Sequence, residues 1–155
     1  MKDSYKIIII IVCLLIIDGA MFWLLGLGKK GNKSIQADGN SSTWEGSQRI
    51  DFGLSMDMIS IAGMSEIILK ADQIEQRVNF HNPNENTCYI IFNLVLDGEV
   101  IWRSGYCPPG HGYYNITLNK PIPKGEYDAD VLHECFTGEG KKLNSAKIHT
   151  KLKVI

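Results

Sequence analysis

Three cysteines and one histidine are the residues whose types and spacing could do chemistry: Cys88, Cys107, His133 and Cys135. Thiols that meet on neighbouring strands can form a disulfide, which contributes about 2–4 kcal/mol to a domain of this size. Two pairings compete. Asp97-Gly98 follows the apolar run Cys88–Leu96 and is a strong hairpin turn signal. Carrying the register back from Leu96 opposite Glu99 sets Cys88 opposite Cys107, as a hydrogen-bonded pair, the poorer geometry for a bridge. The rival is Cys88–Cys135, and a fully reduced set is the third reading. His133-Glu134-Cys135 also puts two metal-ligand types on one strand face. Zinc sites normally carry close-spaced pairs such as C-x2-C, and none occurs. No metal and no cofactor is therefore expected, and His133 reads as a core-edge residue with a backbone partner. His81, His111 and His149 are scattered and read as surface residues.

Two surfaces could bind. Trp102, Tyr106, Tyr113 and Tyr114 surround Cys107-Pro108-Pro109-Gly110 and make an aromatic-rich loop region of the kind that dominates binding hot spots. Lys147, His149, Lys151 and Lys153 alternate along the last strand and could meet anionic lipid or envelope polymer. The competing reading is that these lysines blunt an edge strand. The stretch His81–Thr87 (HNPNENT) offers oxygen ligands but no calcium-loop spacing, so turn chemistry is expected there. The sequence has no G-x-S-x-G, P-loop, dinucleotide fingerprint or H-E-x-x-H. A non-enzymatic protein is expected.

The elements that must position these residues are strands. The chain has 155 residues with 16 Lys+Arg against 17 Asp+Glu, room for about one domain. Its net charge of −1 excludes binding to nucleic acid by bulk electrostatics. From Arg49 onward the period is 2. Ile50, Phe52, Leu54, Met56 and Met58 alternate, and Glu66–Lys70 is a short apolar run. Ile74, Val78 and Phe80 share a face, with Gln76 as its exception. Cys88–Leu96 is apolar on both faces and is expected to be central. Val100–Ser104 is the return strand. Tyr114, Ile116 and Leu118 share a face, as do Tyr127, Ala129, Val131, His133 and Cys135. Ala146, Ile148, Thr150, Leu152 and Val154 form the last core face. About seven strands with no helical stretch predict an all-β antiparallel sandwich over 49–155.

Ahead of it lies a different kind of segment. In residues 7–28 only Asp18, Gly19, Gly26 and Gly28 are not apolar. At about 1.5 Å per residue the run spans roughly 33 Å, enough for a bilayer core. A single-pass anchor over 1–28 is expected, with a cleaved signal peptide as the rival. Asp18 is costly at membrane depth, and the adjacent Gly19 and Ala20 permit close helix approach. Asp18 is thus a candidate for pairing with a partner helix. Flanking lysines are nearly balanced. A sole N-terminal apolar segment before a cysteine-containing β domain favours an extracytoplasmic domain at the cell membrane. Residues 29–48 are rich in Gly, Ser, Asn and Lys and read as a flexible linker with a reach of about 25 Å.

Gly125-Glu126-Tyr127 at a strand start, after Pro121-Ile122-Pro123, resembles the tyrosine corner of immunoglobulin-like sandwiches. The resemblance implies that Tyr127 is structural, its hydroxyl closing onto upstream backbone. It also implies that Cys88 and Cys135 lie on adjacent antiparallel strands, facing inward at one pole. The chain departs from antibody domains in having Ala129 where they carry cysteine. The pattern from Ile61 to Ile155, with Asn82-Pro83, Asn86, the Asp-Gly hairpin and Pro109-Gly110, loosely resembles uncharacterised small membrane-anchored sandwich proteins of Gram-positive bacteria. Two functions follow as expectations. The first is a membrane-anchored extracytoplasmic binding or adhesion module for a protein or envelope polymer. The alternative is an accessory subunit of a multi-protein membrane assembly, of secretion or transfer type, held through its transmembrane helix.

Overall fold

The computed structural model describes residues 34–45, Met64 and 66–155. The apolar run 7–28 with Asp18, and the alternation from Ile50 to Met58, lie outside the described residues. Eight strands follow in order: β1 (Ser42–Thr43), β2 (Glu66–Leu69), β3 (Glu75–Asn82), β4 (Tyr89–Leu96), β5 (Glu99–Arg103), β6 (His111–Thr117), β7 (Gly125–Phe136) and β8 (Lys142–Val154). They form two sheets, β1-β6-β3 and β2-β8-β7-β4-β5. The described part is all-β.

β4 lies between β7 and β5, as its two apolar faces require. Its inward residues Ile90, Phe92 and Leu94 are fully buried. They meet Phe80 of β3, whose ring stacks on Phe92 at 5.9 Å and on Trp102 at 5.3 Å. The core therefore sits between the sheets. The β4–β5 turn is the Asp97-Gly98 pair, with φ of 50° and 81°, the two left-handed residues that a type I′ hairpin needs.

Four expectations are corrected. First, the sheets are not wholly antiparallel: β2 runs parallel to the end of β8, Glu66 opposite Lys151. Second, the face expected of Tyr114, Ile116 and Leu118 is broken. A register shift between Arg77 and Phe80 in the β3–β6 ladder turns Tyr113 inward, 2% exposed, and Tyr114 outward. Third, Ile74 precedes β3 and is 43% exposed, whereas Gln76 is buried. The Gln76 amide donates to Lys70 O and Gln73 O and accepts from Lys70 N. It fastens the crossing from one sheet to the other with no buried polar group left open. Fourth, residues 34–45, read as flexible linker, are laid on the sheets. Ile35 N donates to Gly138 O, Asp38 N to Tyr106 O and Trp44 N to Gly110 O. β1 pairs with β6, and the Trp44 ring stacks on His81 at 3.9 Å.

Candidate functional site

A groove of about 940 Å3 lies beside β5 and β6. Asp38, Arg77, Trp102, Arg103, Tyr114 and Asn115 are among its walls. Arg103 projects from the outer face of β5, where its Nη1 donates to Asn93 Oδ1 at 2.6 Å and pairs with Glu134 at 2.7 Å. Lys142 closes on the other oxygen of Glu134 at 2.7 Å. Lys142, and then the Asn93 and Arg103 donors, outweigh partial burial and hold the Glu134 carboxyl down at about 2. Tyr114 accepts at its hydroxyl from Glu45 N.

Asp38 is the residue that sequence reasoning missed, because it lies in a stretch whose composition reads as linker. Its Oδ2 accepts from Gly105 N at 2.9 Å and from the Tyr113 hydroxyl at 2.8 Å, and its Oδ1 accepts from Asn40 N. Partial burial opposes its charge, but the Asn40, Tyr113 and Gly105 donors prevail and keep the carboxyl below the usual carboxylate range. Burial, together with the bond to Asp38, pushes the Tyr113 phenol up. Gly105 is fitted to this contact: a β-carbon there would stand 2.8 Å from the Asp38 side chain.

The aromatic candidates thus divide. Trp102 and Tyr113 are 8% and 2% exposed and pack edge-to-face at 5.4 Å. They belong to the core and show the groove only their margins. Tyr114 faces outward. Tyr106 packs on Phe136, away from this cluster. No histidine lines the groove among the described residues. Ser104 is engaged at its hydroxyl, accepting from Phe92 N and donating to Gly105 O.

The lysine candidates face an acidic stripe on β7. Lys147 pairs with Asp130 at 2.7 Å and Lys151 with Asp128, while His149 pairs with Asp130. Lys153 stands opposite Glu126 in the ladder. Lys147 above all, against slight desolvation, draws the Asp130 carboxyl down, and Asp128 draws the Lys151 ammonium up. Lys151 and Lys153 also lie where β8 sits between β7 and β2, so the edge-strand reading does not hold for them.

Among the described residues Cys88, Cys107 and Cys135 are buried thiols. The expected Cys88–Cys107 register fails. The β4–β5 ladder slips between Leu94 and Val95, and by the far end Cys107 stands opposite Ile90. In the β4–β7 ladder Ile90 also stands opposite Cys135, so Cys88 lies diagonally beyond both Cys107 and Cys135. The neighbouring Cys135 side chain draws the Cys88 thiol down, while Cys88 and burial push the Cys135 thiol up. Burial pushes the Cys107 thiol up to about 12. Asn82, also unforeseen, ties this pole together: its Nδ2 donates to Cys88 O and Cys107 O, and its Oδ1 accepts from Asn86 Nδ2.

His133 is 1% exposed, and neither ring nitrogen has a hydrogen-bond partner among the described residues. The Val131 backbone is the polar group that acts on it, against burial, and its ring packs edge-to-face on Phe92 at 5.0 Å. Burial depresses its pKa to about 4. No group of three or more His, Cys, Asp or Glu side chains is gathered for a metal among the described residues.

Tyr127 donates its hydroxyl to Pro123 O at 2.9 Å, the local closure expected of it. Gly125 gives the ring room, since a β-carbon there would lie 3.1–3.2 Å from the ring and hydroxyl.

No family model matches the chain, and no curated protein and no solved structure matches it.

Proposed function

We propose that this chain is a non-catalytic binding or adhesion module. An immunoglobulin-like sandwich is tethered by a single-pass helix over 7–28 and displayed outside the cytoplasm, and its groove beside β5 and β6 takes a protein or envelope-polymer partner. The observation that carries the reading is the groove itself. It is open, about 940 Å3 in volume, and walled by an outward tyrosine, amides and two arginines, groups that recognise extended polar surfaces. Its Asp38 and Ser104 are committed to internal hydrogen bonds. The Tyr127 closure supports the immunoglobulin-like shape, while the parallel β2–β8 pair departs from a purely antiparallel one.

The test uses the full chain in intact cells. The thiols of Cys88, Cys107 and Cys135 are buried, so, with Cys13 replaced by serine, a cysteine is introduced at the exposed β7–β8 turn as Glu139→Cys. A membrane-impermeant maleimide labels it before lysis if the domain is outside. Labelling only after lysis overturns the reading. In parallel, a photo-crosslinking side chain at Asn115 captures the partner, and one at Lys124, outside the groove, does not. Equal capture at both, or none at Asn115, removes the groove as the site.

A further inference from the structure

We propose that an extended acidic segment of a partner protein pairs with the free edge of β6 as an added strand, an inference that rests on the groove beside β5 and β6 being the binding site. The groove follows the edge of a strand rather than its face. Its walls include Tyr113, Tyr114, Asn115, Ile116 and Thr117 in unbroken succession. Side chains on one face of a strand alternate, so a wall that keeps every residue runs along the backbone itself. One side of β6 is taken by β3, from His111 to Thr117. On the other side, among the described residues, β1 covers only His111 and Gly112. Leu118 N donates to Ile74 O. Backbone groups in an antiparallel ladder point to alternate sides along the strand, so Asn115 and Thr117 direct theirs away from β3.

The chain's own first strand stops short of them. β1 is antiparallel to β6 with Ser42 opposite Gly112, so its backward continuation would bring Ser41 opposite Tyr113 and earlier residues opposite Asn115. A turn at Asp38 takes the chain off this edge instead: Asp38 O accepts from Ser41 N and Ser41 Oγ, and Asp38 Oδ1 accepts from Asn40 N. Across the groove, β5 offers less. Its Ile101 O accepts from Asn119 N, and Gly105 N is spent on Asp38. The β6 edge is thus the one left to pair, and outward backbone donors and acceptors are a template for another extended chain. Charge then selects its sequence. Lys70 and Arg77 stand on the groove walls and take part in none of the ion pairs among the described residues. Asp38 is closed by its three donors, which leaves Glu75 alone against them. Carboxylates on the added strand complement this excess, and a guanidinium such as that of Arg77 can hold one by two hydrogen bonds.

The full chain, purified in detergent, is used to select binders from random peptides displayed on phage, and the selected peptides are titrated by fluorescence anisotropy. The expected sequences are rich in Asp and Glu and in β-branched residues. N-methylating their amides one at a time weakens binding on the order of tenfold at alternate positions and leaves it unchanged between them, because only one side of an added strand faces β6. Arg77→Glu weakens binding by a similar factor, and Lys124→Glu, outside the groove, leaves it unchanged. Thr117→Pro removes an outward N–H while sparing the β3 ladder, and weakens binding likewise; where that variant folds poorly, the N-methyl scan decides without it. A peptide lost in Arg77→Glu whose N-methyl effects do not alternate overturns strand addition and leaves the groove as the binding site. Selection that yields no peptide sensitive to Arg77→Glu overturns the proposal, while capture at Asn115 still reports on the groove. Retention of the chain on poly(glycerol phosphate) beads that is lost in Arg77→Glu, with no peptide selected, assigns the groove to an anionic polymer and also overturns it.

Discussion

His133 is where a single residue sets the behaviour of the fold. The alternation of β7 forces it inward between Val131 and Cys135, and its ring fills core volume against Phe92. An imidazole there is stable only when neutral. In the folded protein its pKa is about 4, against an ordinary 6.5. The unfolded chain therefore binds the extra proton first. Stability is full above pH 6.5 and is lost as pH falls from 6.5 towards 4. We expect about 2 kcal/mol of destabilisation between pH 7 and pH 5 from this residue. Urea titrations at both pH values measure it, and His133→Phe removes most of the difference. His81, half-buried against Trp44 and also depressed by burial, accounts for what remains. An equal pH difference in the variant refutes the assignment. Glu134 and Asp38 act in a separate window. Their carboxyls are held low when folded, so their contribution is present at pH 5 and is lost only further into acid.

At the scale of elements, the decisive piece is the segment 34–45. Its composition gives no periodic signal, and a linker is the natural reading. What orders it is a set of contacts to residues more than 60 positions away: Asp38 with Gly105 and Tyr113, Glu45 with Tyr114, Ile35 with Gly138. Long-range hydrogen bonds of this kind leave no local trace in sequence. Removing the Asp38 carboxylate leaves the Gly105 N–H without its acceptor and the Tyr113 hydroxyl with only the longer bond to Gly105 O at 3.4 Å, at a cost of about 1–3 kcal/mol. Asp38→Ala is expected to free this segment first. In hydrogen exchange the amides of Ile35, Asp38 and Trp44 lose protection while β4 and β7 keep theirs; unchanged protection over 34–45 would contradict it. The bulges make the same point about register. The Asp97-Gly98 turn is legible in the sequence, and Leu96 does face Glu99. The slips further along β4–β5 and in β3–β6 are not legible, because either register keeps an apolar residue on the inward face.

For the whole molecule, the near-balance of charge along the chain becomes a pairing in space. The lysines of β8 meet the carboxylates of β7, so the sheet presents an alternating rather than a basic face. Asp18 in the apolar run 7–28 is a sequence feature with a consequence at this scale. If the chain is held in a membrane assembly by pairing at Asp18, Asp18→Leu abolishes co-purification of the assembly while the melting of the sheet domain is unchanged; intact co-purification discounts that role. The sequence by itself determined the all-β class, the central place of β4, the Asp97-Gly98 hairpin and the inward set of β7. Each of these is fixed by side-chain period, by two-faced apolarity or by the backbone freedom of particular residues, which are local properties. The tertiary structure alone decided the parallel β2–β8 pair, the docking of 34–45, the inward turn of Tyr113 and the slip that sets Cys107 opposite Ile90. Those depend on which distant strand supplies the matching hydrogen bonds and volume, and short-range pattern carries no record of that choice.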